Sequence, residues 1–370
     1  NPDEGVECKP QCPIPTSGGV LINYDCTLYN QVQLSGDLSV SGNEITYTTI
    51  AAAAGNRHFQ ISSAKHKLML KWLYLTGGVA SGANPEGKYG GSISIWQIAG
   101  ELYASNCVWY NNEAQYYGGA IHSNGQRAII NITSSTFLSN TAPYGGGAVK
   151  IEMGLGYLTD VIIRNNTVEL RGGGLLLSGT NDNPLNAGIF YLTRVILEDN
   201  KQTTGIDGVN GGGALYLQWE VHIVAIECSF INNEAIAEDH GHQIMARKST
   251  SEGTPSIHLI HSNFTNIELN NNFYGYLNDG STSHGADKYV ATQSCSDSPT
   301  QCNDNRYTSP YYGCIDKTNP DEGVECKLRC AIPASGNVTI TSDCILYNEI
   351  QVTGSLTVTG IPDAHGVLPK

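Results

Sequence analysis

The sequence predicts an all-β chain wound into a right-handed parallel β-helix (solenoid) of about nine or ten coils, and three observations predict it. Short apolar segments that close on Asn recur as CVWYNN (107–112), STFLSN (135–140), VIIRNN (161–166), VILEDN (195–200), CSFINN (228–233) and, more loosely, HSNFTN (261–266). Glycine runs backed by a small or apolar residue follow most of them, as GGAI (118–121), GGGAV (145–149), GGGLL (172–176) and GGGAL (211–215). No segment carries a helical period, whereas VQLSGDLSVSG (32–42) and KLMLKWLYLTGG (67–78) alternate with the period of two that strands require.

Each part of the repeat has a physical assignment. A period of about 30 residues fits one coil whose short strands pair with their equivalents above and below, about 4.8 Å away. Trp109, Phe137, Ile163, Leu197 and Phe230 share one phase of the segments and should point inward as a stacked core ladder. The closing Asn112, Asn140, Asn166, Asn200, Asn233 and Asn266 are spaced by 28, 26, 34, 33 and 33. They are expected where the chain turns, because Asn tolerates left-handed geometry and its amide bonds turn backbone or the next Asn in the stack. The glycine runs allow positive φ and close backbone approach at another corner. YGGSI (89–93) reads as that corner one coil earlier, and His240-Gly241-His242 replaces it after Asn233.

A second repeat operates at larger scale. NPDEGVEC starts at Asn1 and again at Asn319, and residues 1–42 and 319–360 agree at 26 of 42 positions. This tandem duplication predicts a Cys-containing junction with a preceding repeat at 1–19 and a β-helix at 20–285. A disulfide-rich junction at 286–335 and the first strands of the next repeat at 336–370 complete the organisation. With no initiating Met and no basic-then-apolar leader, the sequence is expected to open inside a longer or processed chain.

Cysteine placement predicts an oxidising compartment. Cys295, Cys302, Cys314, Cys326, Cys330 and Cys344 crowd the repeat junction in a stretch rich in Ser, Pro and Asn, which reads as a disulfide-stapled connector. At least one bond is expected to join the 295–314 segment to the 326–344 segment, because bonds confined to each trio leave an odd thiol. By the same logic Cys8, Cys12 and Cys26 are expected to take partners from a preceding unit. No CxxC is present to favour zinc. Cys107 and Cys228 stand alone in separate coils and read as buried thiols. Sequons at Asn131, Asn165, Asn263 and Asn337 add N-linked glycans and a secretory route.

The charge balance and the absence of catalytic patterns narrow the function classes. A formal charge of −14 repels nucleic acid and anionic lipid, and no apolar run is long enough to span a bilayer. Paired carboxylates suited to glycoside cleavage are missing, since the acids are scattered and adjacent Glu198 and Asp199 face opposite sides of a strand. Arg164, Arg171 and Arg194 are expected to form a solvated flank with Glu169 and Glu198 as neighbours. His222, His240, His242, His258 and His261 are read as surface or turn residues rather than Zn or Cu ligands. No catalytic, cofactor-binding or metal residue is assigned.

FLSN and FINN combined with GGA-hydrophobic runs resemble the FxxN and GGAI repeats of the chlamydial polymorphic membrane proteins. The opening region, with TLYN and ILYN, a GSLTVTG strand, RHFQIS and LKWLYLTGG, is similar to related repeats of large secreted surface proteins of algae and other protists. The resemblance covers roughly residues 20–275 and implies a parallel β-helix with an extracellular, non-catalytic role as adhesin, wall or filament component. No autotransporter barrel follows and the last coils lose GGA, so membrane attachment by a bacterial route is not expected. The resulting expectation is a structural unit of a secreted fibrous glycoprotein, whose partners are identical repeats. Alternatives are an adhesin binding glycans through Tyr116, Tyr117, Tyr144 and Tyr157, or a polysaccharide lyase or hydrolase with an unfamiliar site.

Overall fold

The computed structural model describes residues 9–62, 65–82, 85–96, 100–179, 188–204, 210–219, 221–236 and 242–248. After them it describes 255–260, 262–265, 273–277, 282–283, 290–293, 312–316, 324–329, 336–340, 344–345 and 356–360. The regular secondary structure of the described residues is almost entirely strand, the one helical element among them being a 3₁₀ turn at Pro85–Lys88. The chain divides into two compact units, Asn1–Ala291 and Thr292–Lys370.

The first unit is a parallel β-helix. One coil runs through Glu101–Ser105, Val108–Tyr110, Glu113–Ala114 and Ile121–Ser123 before Ile129–Thr133 begins the next. Strands pair in parallel with their equivalents on neighbouring coils, which builds four stacked sheets of ten, ten, nine and six described strands, with Thr282–Ser283 added antiparallel at the end of one of them. The expected coil count and fold class are what the structure has.

Alternation along each strand decides which side chains enter the core. Trp109, Phe137, Ile163, Leu197 and Phe230 stand directly in register, one per coil, and all are fully buried. The row continues upstream through Leu75 and Ile50 to Cys26. Trp109 and Phe137 stack with ring centroids 4.6 Å apart and planes 6° from parallel. Burying such a column along the whole axis supplies the apolar area that holds one coil on the next.

Asn112, Asn140, Asn166, Asn200 and Asn233 form a second buried ladder at the corner after this sheet. The Nδ2 of each residue from Asn112 to Asn200 donates to the Oδ1 of the next, at 2.9–3.0 Å. Asn233 donates to Gln243 Oε1 at 2.6 Å. Asn266 lies outside the described residues. The expected left-handed geometry falls one residue earlier, on Asn111, Ser139, Asn165, Asp199 and Asn232, whose φ values are 51–55°. The physical reason is that the turn is made by the outer residue, exposed in every case but half-buried Ser139, which leaves the ladder Asn free to aim its amide along the axis.

At the glycine corner, the two glycines of each pair do different jobs. Gly118 has φ +65°, while a Cβ on Gly119 would lie 2.1 Å from the carbonyl oxygen of Gly147 on the next coil. Only an absent side chain lets the backbones approach that closely.

Cys12 and Cys26 correct an expectation. They are bonded to each other, with Cα atoms 5.0 Å apart, rather than to a preceding unit. Gln11 bridges Thr27 in parallel, and Cys12 N–H donates to the Thr27 carbonyl at 3.0 Å, so the lead-in segment runs alongside Cys26–Leu28, the first strand of the ladder sheet. Two of the three cysteines pair locally, so the expected partner from a preceding unit is left to Cys8 alone. Cys107 and Cys228 are free and buried, and burial pushes both thiols up to about 12.

The second unit holds Tyr312–Asp316 antiparallel to Val324–Arg329, which pairs in parallel with Cys344–Ile345. Gly336–Ile340 pairs with Leu356–Gly360 from Gly336↔Leu356 onward, the register of Gly18↔Leu38 displaced by 318 residues. Cys8, Cys295, Cys302 and Cys330 lie outside the described residues, and of Cys314, Cys326, Cys344, Asn263 and Asn337 the strand placement alone is described.

Candidate functional site

Aromatic and basic side chains gather on the outer side of the sheet that contains Ile93–Ile95, Ile121–Ser123 and Val149–Glu152. In these strands Ile93, Ile121 and Val149 belong to the core, so the next residues, Ser94, His122 and Lys150, point outward and lie in register. They are nonetheless buried. The covering rings come from the adjacent glycine corner, where Tyr89 and Tyr117 each precede the first glycine of their coil.

Tyr89 is the centre of the cluster. Its ring stacks on His122 at 4.6 Å, on Trp96 at 5.3 Å and on Tyr117 at 5.7 Å. Tyr116 meets Tyr144 edge-on at 4.9 Å and Tyr89 at 5.8 Å. Beneath, Lys150 Nζ lies 3.6 Å from the Tyr117 ring centroid and ion-pairs with Glu152, while Lys88 Nζ lies 4.8 Å from the Tyr116 centroid. Burial lowers the Lys150 ammonium despite the opposing Glu152 carboxylate. Burial first, then the Lys150 and Arg57 charges, hold His122 well below the ordinary imidazole range. The imidazole is therefore neutral, and its Nδ1 has no hydrogen-bond partner.

Next to this platform along the chain is a polar cavity of about 250 Å³ lined by Gln31, Asn56, Arg57, Gln60, Ser81 and Glu86, among others. Arg57 is 3% exposed; its Nη2 donates to the Glu86 carbonyl at 3.0 Å, and its Nη1 is unpartnered. Desolvation lowers this guanidinium to about 10, against the pull of the Glu86 charge. A cluster of aromatic rings, some stacked and some edge-on, beside amides and a guanidinium, can stack on and hydrogen-bond to a sugar.

The structure brings Tyr116, Tyr117 and Tyr144 together and leaves Tyr157 on a different sheet, stacked on Tyr191 at 5.2 Å. Tyr89, Trp96, His122 and Lys150 were missed by sequence reasoning. For Tyr89 a signal existed, since Tyr precedes Gly-Gly at 89–91, 117–119 and 144–146. Of the three arginines, Arg164 bonds Glu198 at 2.7 Å and Arg194 bonds Asp160 through two nitrogens at 2.6 and 2.8 Å. Arg171 departs from the solvated flank, lying 5.8 Å from the Tyr216 ring centroid with its Nε toward Asn210.

The remaining candidates are dispersed. His222 is in register with Ile189 and Ser256, and His242 Nδ1 accepts from the Ala235 N–H at 3.1 Å. His258 is placed only by its register with Val224, and His240 and His261 lie outside the described residues. Among the described residues no three His, Cys, Asp or Glu side chains converge as a metal site, and no helix is long and apolar enough to cross a membrane. Sequon Asn165 is exposed at its left-handed corner, whereas Asn131 is half-buried between Tyr103 and Tyr157 on neighbouring strands.

Fold and corners together define a class, the parallel β-helical solenoid. Comparisons with protein-family models, curated proteins and solved structures find no match to this chain.

Proposed function

We propose that this chain is a repeat unit of a secreted fibrous glycoprotein, a rod that joins the next unit to form an extracellular filament or surface appendage. The observation that carries the reading is the recurrence, 318 residues on, of the same opening sequence and the same Gly18↔Leu38 strand register. Coils closed by buried amide and apolar ladders resist bending and proteolysis, which suits a load-carrying unit. N-linked glycans on residues such as exposed Asn165 fit the same setting, as does the likeness to FxxN and GGAI surface proteins. Negative-stain images of native material should show an axial periodicity of one unit; isolated monomers without periodicity would overturn the proposal.

A second reading, an adhesin, is favoured by the cluster of Tyr89, Trp96, Tyr116, Tyr117 and Tyr144 beside the Arg57 cavity. It calls for saturable signals on a glycan array that Tyr144→Ala and Tyr116→Ala abolish. A catalytic role is not part of either reading, and release of unsaturated or reducing sugars from pectin or alginate would reopen it.

A further inference from the structure

We infer that each repeat junction is locked by a hairpin disulfide between Cys314 and Cys326, and that Cys330–Cys344 and Cys295–Cys302 complete the junction. The assignment deepens the fibrous reading, yet it rests on separate observations. Cys314 and Cys326 are direct partners across an antiparallel strand pair. Opposed residues in such a pair have Cα atoms about 4.5 or 5.5 Å apart, and both spacings lie within the disulfide range of about 4.4–6.8 Å.

The second pair follows from the repeat. Cys12 and Cys26 are bonded, and beside them Gln11 bridges Thr27 in parallel. Displaced by 318 residues, that bridge is Arg329↔Ile345, which the second unit contains. Cys330 and Cys344 therefore flank the same bridge as Cys12 and Cys26 do. Cys295 and Cys302 are the two left over.

Cys326 corresponds to Cys8, so in a tandem chain Cys8 would take the residue equivalent to Cys314 in the unit before it. The C-terminal tail of one unit would thus be stapled to the lead-in of the next. Each bond forms by thiol–disulfide exchange with an oxidant that itself carries a disulfide: two thiols lose two protons and two electrons, and the oxidant is reduced to a dithiol.

Trypsin makes the test decisive, because cleavage after Lys288, Arg306, Lys317, Lys327 and Arg329 separates the pairs. The 370-residue chain, secreted from eukaryotic cells, is alkylated without reduction and its peptides are mass-mapped. The expected map has 307–317 crosslinked to 318–327, with 289–306 and 330–370 each closed by an internal bond and Cys8 alkylated. Any link from Cys326 to Cys295 or Cys302 overturns the assignment. Alkylated Cys314 or Cys326 alongside an intact Cys12–Cys26 bond also overturns the staple, while the extracellular reading survives. Alkylation of all 11 cysteines overturns both.

Discussion

Asn140 donates both its backbone N–H and its side-chain Nδ2 to one atom, the Oδ1 of Asn166, at 2.8 and 3.0 Å. It also accepts the corresponding pair from Asn112, and its Nδ2 reaches the Trp109 carbonyl at 3.1 Å. Asn140→Ala removes the acceptor for two buried donors and the donor for a buried carbonyl. At about 1–3 kcal/mol for each buried group left unpaired, part of it relieved by water or shifted backbone, the loss should be about 3–5 kcal/mol in urea unfolding. Asn165→Gly, at the exposed left-handed corner of the next coil, should cost less than about 1 kcal/mol. Equal effects of the two would mean that the ladder does not stabilise the rod.

Gly147→Ala tests the close approach of coils. A Cβ there would stand 2.1 Å from the Gly173 carbonyl oxygen and 2.7 Å from that of Thr167, both backbone atoms that cannot swing away. Adjacent coils must part, so a destabilisation of about 2–4 kcal/mol is expected, at the upper end of single-substitution effects. Gly19→Ala meets nothing within 4 Å and should leave the unfolding midpoint unchanged.

Acid should weaken the rod before any carboxylate titrates. The fully buried His58 bonds the Ile50 carbonyl through Nε2 and Ser92 Oγ through Nδ1, both at 2.9 Å. Burial lowers it to about 4 from an ordinary value of 6.5, so the unfolded chain takes up the proton first. Stability is complete above about pH 6.5 and is lost progressively as pH falls to about 4, by about 3 kcal/mol in all. His122, also held low by burial and the Lys150 and Arg57 charges, acts in the same direction. The urea midpoint should fall between pH 6.5 and 5, and His58→Asn should flatten that fall. An unchanged pH profile in the variant would remove His58 from the account.

The Cys12–Cys26 bond spans a sequence separation of 14 residues, a closure worth about 3 kcal/mol. Replacing both with Ser should speed amide exchange in Gly18–Leu21 and Leu38–Ser41, the first strands of their sheet, and leave Leu215–Gln218 unchanged. In a solenoid each coil touches only its neighbours, so the effect should decay along the axis. Uniform acceleration would show instead that the rod opens as one cooperative body.

Coil length, the inward row from Trp109 to Phe230, the Asn corner and the glycine corner were all legible in the sequence. Each depends on local phase, and stacking requires that phase to recur in every coil. What tertiary structure decided were contacts between positions that are not equivalent. It moved left-handed φ from Asn166 to Asn165, joined Cys12 to Cys26 across a lead-in of no regular period, and drew Arg171 toward Tyr216. It also set Tyr89 and Trp96 over the outward face of His122 and Lys150, which are equivalent positions 28 residues apart, although neither ring shares their phase. Side chains that leave one coil's corner and cover another strand's outer face are positioned by corner direction and coil stagger, and those quantities exist only once the coils are stacked.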